Sequence, residues 1–193
     1  MWELPRRAGR ERRRWLGASL LAGLLWLAGC ASPPQPANAP AFTAAGRLSV
    51  RVEASPARPL QRLSAAFEWR GDGVRGELTL LSPLGTQVAQ ARWLPGEAVL
   101  VTAEGEARFD TLEALAERAL GERVPLVAWP DWLAGRPWPG APSAPLSGDS
   151  FEQLGWRVDL ARYAEGRIEA QRSAPPVVTV RIVLDTDVMR ARP

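Results

Sequence analysis

Apolar and polar residues alternate with a period of two along most of this chain, the signature of half-buried strands. Arg47–Val52 sets Leu48, Val50 and Val52 on one face and Arg47, Ser49 and Arg51 on the other. Gln61–Trp69 repeats the pattern, with Leu63, Ala65, Phe67 and Trp69 opposite Arg62, Ser64, Ala66 and Glu68. Leu78 and Leu80 alternate with Glu77 and Thr79, and Thr86–Leu94 brings Ala89, Ala91 and Trp93 together. Glu97–Ala103 is apolar on both faces, as in a strand covered on both sides, and a short strand ends at Phe109. Strand patterns return at Phe151–Leu160, more weakly at Arg167–Arg172, and at Val177–Leu184, where Val178, Val180, Ile182 and Leu184 share a face. Arg70-Gly71-Asp72-Gly73, Pro95-Gly96 and Glu104-Gly105 read as turns.

Between the two groups of strands the period changes. Asp110-Thr111-Leu112-Glu113 has the form of a capping box. Leu112, Leu115, Ala116, Ala119 and Leu120 then follow at helical spacing, and Gly121 suits a helix C-terminus. In the next apolar piece, PLVAWPDWLAG, Pro130 breaks or kinks any helix, so short helical turns at best are expected. Arg136–Pro145 reads as proline- and glycine-rich loop. The pattern describes a mainly β domain over residues 45–193, an antiparallel meander of eight to ten strands interrupted once by helix.

The meander is organised around Gly76–Gln90, a strand, a tight turn and a strand. In the turn Ser82-Pro83-Leu84-Gly85, Pro83 presets φ and Gly85 suits the exit, leaving Leu84 at the tip. Loop tips are ordinarily polar. Either Leu84 folds back onto its own domain, or it is an apolar finger that touches a membrane or a partner. The inward faces pose a second question, because bulky aromatics mix there with Ala65, Ala89 and Ala91. Small residues leave volume for a ligand; ordinary packing against the helix is the alternative.

Charge adds little once it is divided. Six of the 24 basic residues and two of the 21 acidic ones fall in the first 29 residues, so the rest of the chain is close to neutral. The basic balance therefore argues for no nucleic-acid partner. There is no histidine, and the single cysteine, Cys30, excludes an internal disulfide. Nothing in the remaining carboxylates, hydroxyls and arginines has the form of a catalytic or metal site, and neither an enzyme nor a cofactor is expected. Residues 1–29 join an arginine-rich start to an apolar run, Trp15–Ala28, that is short for a membrane span and suits a signal peptide. Residues 30–44 contain a proline-rich, uncharged tether.

Leu27-Ala28-Gly29-Cys30 resembles the lipobox of bacterial lipoproteins, which implies cleavage before Cys30 and acylation of that cysteine. Together with GRLSVRV (46–52), AAFEW (65–69), ELTLLSPLG (77–85), VPLVAWPDWLAGRP (124–137) and WRVDLARY (156–163), the chain resembles the LolB family of outer-membrane lipoprotein receptors. The resemblance implies an incomplete antiparallel β-barrel with a helical lid over an apolar cavity, lined here by Leu63, Ala65, Phe67, Trp69, Leu78, Leu80, Ala89, Ala91 and Trp93. It implies a monomer, anchored by Cys30 on the periplasmic face of the outer membrane. Such a receptor accepts acylated lipoproteins from the periplasmic carrier LolA and inserts them into outer-membrane lipid, with Pro83, Leu84 and Gly85 as the membrane-insertion loop. Members of the family often carry a longer, partly helical segment before the first strand, so a piece of cavity wall is absent here or supplied otherwise. A different lipid- or small-ligand-binding lipoprotein is the competing expectation.

Overall fold

The computed structural model describes residues 42–56 and 59–185; the expectations for the signal peptide, Cys30 and the tether lie outside them. The described residues form one open antiparallel sheet of eleven strands, one more than the upper expectation. The first half is a meander of β1 (Thr43–Val52), β2 (Gln61–Gly71), β3 (Gly76–Leu81), β4 (Gln87–Leu94), β5 (Glu97–Thr102) and β6 (Gly105–Phe109). The second half is β7 (Ser143–Leu146), β8 (Ser150–Gln153), β9 (Trp156–Asp159), β10 (Arg167–Arg172) and β11 (Val178–Leu184). The last strand returns to pair with the first, giving the order β6-β5-β4-β3-β2-β1-β11-β10-β9-β8-β7. β1 starts at Thr43, slightly before the expected boundary at Ala45.

Alternation is realised as burial. In β1, Ala44, Leu48, Val50 and Val52 are buried, and in β11, Val178, Val180, Ile182 and Leu184. These residues meet across the β1–β11 seam, Val50 opposite Val180 and Leu48 opposite Ile182. Gly46 permits the close approach there, since a Cβ at that position would run into the carbonyl of Val183.

Between the halves lie α1 (Leu112–Leu120) and, after a 3₁₀ turn at Leu126–Ala128, α2 (Trp129–Leu133). The N-cap of α1 is Thr111 rather than Asp110, its Oγ1 accepting from the N–H of Ala114 at 3.1 Å. Gly121 ends the helix with φ 72°, in the left-handed region glycine tolerates. The second piece forms only short helical turns, as expected, but Pro130 lies inside one of them and not at a break. It occupies the first turn of α2, where its missing N–H leaves no bond unmade. α1 packs over β5 and β6 and against the 3₁₀ turn.

Two further stretches differ from expectation. Phe151–Leu160 is two strands, not one: Leu154 (φ 54°) and Gly155 (φ 75°) make a two-residue hairpin turn with both central residues at positive φ. The proline-rich stretch at 136–145 ends in strand β7, with Pro145 opposite Phe151. β7 is an edge strand, where a residue without an N–H is tolerated.

The α2 segment fills one end of the half-barrel. Trp129 lies 6.2 Å from Trp69, which lies 4.9 Å from Trp93. Trp132 reaches the other half of the sheet, with ring centroids 6.4 Å from both Phe151 and Trp156. Buried indole N–H groups find acceptors: Trp93 donates to the carbonyl of Asp72 and Trp132 to Oε1 of Gln153, both at 2.9 Å. Gln153, 1% exposed, also accepts from the N–H of Trp138 and donates to the carbonyls of Trp138 and Ala141. Its amide thus donates twice and accepts twice, tying α2 to the chain that follows it.

Candidate functional site: an apolar cavity with an exposed leucine at its rim

The other end of the half-barrel is hollow. A cavity of about 570 Å³ lies between α1 and the inward faces of β1–β6, a volume typical of a single-ligand pocket. The register explains the space. One inward row crosses the sheet as Gly76, Trp93, Ala98 and Phe109, and it is packed. The next is Leu78, Ala91, Leu100 and Ala107, and the one beyond is Leu80, Ala89, Thr102 and Gly105. Side chains shrink row by row, and Trp129 of α2 borders the space they leave.

Of the residues expected at the wall, Leu63, Leu78, Leu80, Ala89 and Ala91 line this cavity. Ala65, Phe67, Trp69 and Trp93 differ: they point to the same side of the sheet but are buried in its packed part, Trp69 fully. Helix α1 supplies Leu115, Ala116, Ala119 and Leu120 as a roof. The sequence pattern identified the helix but not this role for it. Val88 is a wall residue that alternation assigns to the wrong face. The register slips so that Leu80 faces Ala89 while Leu81 faces Gln87, and the bulged Val88 joins the cavity. The charged residues of the lining, Arg118 of α1 and Glu104 and Glu106 of the β5–β6 hairpin, are all exposed and mark the rim.

The β3–β4 turn stands at that rim. Leu84 is 93% exposed, so it does not fold back onto its own domain. The backbone beneath it is braced. Gly85 N–H donates to the carbonyl of Ser82 at 2.9 Å, Ser82 N–H donates to the carbonyl of Thr86 at 2.8 Å, and Ser82 Oγ accepts from the N–H groups of Leu84 and Thr86. Gly85 has φ 80°, the left-handed geometry that returns the chain to β4. Pro83 is exposed beside Leu84, and Leu80, Val88 and Ala89 at the base of the turn are cavity wall. The apolar tip is therefore continuous with the hollow.

The roof is tied down at its far end. Arg172 of β10 binds Glu122, just past α1, at 2.7 Å, with both side chains largely buried and the guanidinium 5.8 Å from the Trp156 ring centroid. Among the described residues there is no cluster of acidic, cysteine or histidine side chains fit to hold a metal, and no helix long and apolar enough to cross a membrane.

A half-barrel packed at one end, hollow and apolar at the other, with a helix across the hollow, defines a container for an apolar ligand. Residues 40–186 match the family described as Outer membrane lipoprotein LolB, and the chain belongs to that family. The outer-membrane lipoprotein LolB of Bordetella petrii is 39% identical over 176 residues, 84% of this chain and 86% of its own. That of Bordetella parapertussis is 40% identical over 194 residues, covering 92% and 96%, and that of Chromobacterium violaceum 32% over 182, covering 86% and 96%. Membership makes the chain an outer-membrane lipoprotein receptor of lipoprotein localisation.

Proposed function

We propose that this receptor takes acylated lipoproteins from the periplasmic carrier LolA, holds their acyl chains in the apolar cavity, and releases them into the outer membrane as a monomer anchored through Cys30. The observation that carries the reading is a 93% exposed leucine on a braced turn whose base is the cavity wall. An acyl chain costs roughly 10 kcal/mol to expose to water, at about 0.8 kcal/mol per CH₂. Passage between two membranes therefore requires a dry container, and release requires that the container open against lipid. Burying one leucine contributes roughly 1.5–3 kcal/mol. That is too little to anchor a protein and enough to seat the cavity mouth briefly on a bilayer. The step moves acyl chains between apolar environments and needs no catalytic group.

Leu84→Glu tests it. Melting should stay close to wild type, because an exposed side chain makes no packing contact, and uptake of cargo from the loaded carrier should persist. Release into liposomes should slow by about tenfold or more, the equivalent of about 1.4 kcal/mol. Leu84→Phe should release normally. Release by Leu84→Glu at the wild-type rate overturns the membrane-finger reading.

A further inference from the structure

The chain enters the domain at the end opposite Leu84. The carbonyl of Phe42 accepts from the N–H of Gly71 at 2.9 Å, which pins the start of β1 beside the β2–β3 hairpin. Thr43 pairs with Arg70 there. Leu81, the last residue of β3, sits opposite Ala66, and Ala66 opposite Arg47. The turn bearing Leu84 lies further along the same direction. At about 3.3 Å per strand residue, the four steps from Thr43 to Arg47 and the turn beyond them put Leu84 about 25 Å from where the chain enters.

The anchor proposed at Cys30 lies twelve residues before Phe42. The intervening sequence, ASPPQPANAPA, carries no charge, and its composition favours extended backbone. Twelve residues at about 3.1–3.6 Å each reach about 40 Å. We infer that the domain delivers its cargo turned over, with the Leu84 end toward the bilayer that holds its own anchor. The length of the tether, rather than its sequence, then decides whether delivery occurs. The inference rests on the reading of Leu84 as the membrane finger. It sets a threshold: a span of about 25 Å needs about eight extended residues. A domain that lay on its side would bring both ends to the membrane at once and need no such length.

The test uses the lipidated full chain in liposomes, supplied with carrier loaded with acylated lipoprotein. Deleting Pro33–Ala39 leaves four residues between Cys30 and Phe42, five chain steps with a reach of about 17 Å. Uptake should be unchanged and release into the anchoring bilayer should fall at least tenfold. Deleting only Pro33–Gln35 leaves eight residues, nine chain steps, and should release near normally. Replacing Pro33–Ala39 with seven glycine and serine residues should restore release. In a Cys30→Ala background, the seven-residue deletion should have no effect, which separates reach from damage to the domain. Full-rate release by the anchored seven-residue deletion overturns the inference, as does failure of the glycine–serine replacement to restore it. If that deletion releases at full rate while Leu84→Glu is slow, only the tether is misread. If Leu84→Glu also releases at full rate, the finger reading falls and this inference with it.

Discussion

The two ends of the half-barrel are built from the same strands and made opposite. On β4, Trp93 is buried against Trp69 at one end, while Ala89 lines a hollow at the other. On β5, Ala98 has no exposed surface, whereas Leu100, two residues on, faces the cavity. The tryptophans of α2 pack at the first end, where Trp129 also forms the boundary with the second. A single sheet thus carries a core dense enough to hold the fold and a site empty enough to hold a guest. Stability resides in one and capacity in the other, and the two can be altered separately.

The largest effect should come from the packed end. Trp69→Ala removes the ring that joins Trp93 to Trp129 and should cost about 3–5 kcal/mol. Chemical denaturation would show the loss, and a smaller one would mean that the cluster collapses to fill its own void. Gln153→Leu should cost about 2–3 kcal/mol, since each buried polar group left without a partner costs about 1–3 kcal/mol. The indole N–H of Trp132 and the backbone of Trp138 would be orphaned.

The most direct contrast makes one substitution at both ends. Ala98→Phe should overpack the tryptophan end and destabilise by about 1–3 kcal/mol. Ala89→Phe should leave the melting temperature nearly unchanged, because the added ring enters open space, yet abolish the binding of a dye that fluoresces in apolar pockets. If Ala89→Phe destabilises as much as Ala98→Phe, the second end is core and not cavity.

Much of this was legible in the chain, and the rest failed for identifiable reasons. A period of two assigns a face, and the faces of β1, β2 and β11 follow it. It does not say how far along a face the filling extends, which is why Ala65, Phe67, Trp69 and Trp93 could not be separated from Leu63, Leu80 and Ala89. That division is set by where α2 sits, a contact between residues far apart in sequence. Val88 was hidden by a bulge, which breaks the very period used to read the strand. β8 and β9 were fused because a leucine occupies the first turn position, where asparagine, aspartate or glycine is the usual sign. The strand at Ser143–Leu146 was masked by Pro145, which an edge position admits. Leu84 stood out because a leucine between Pro83 and Gly85 has no local reason to be there. The sequence left its direction open, and the fold turns it outward.

The seam between β1 and β11 has a consequence for how the molecule is made. Val50 has its neighbour Leu63 thirteen residues on, but its other neighbour, Val180, arrives only with the final strand. Pairings so distant in sequence must first overcome the entropy of closing a long loop, and they slow folding. Throughout export, one flank of the first strand has no partner and is open to pairing with other chains. The domain cannot complete its sheet cumulatively as it emerges; it must wait for β11.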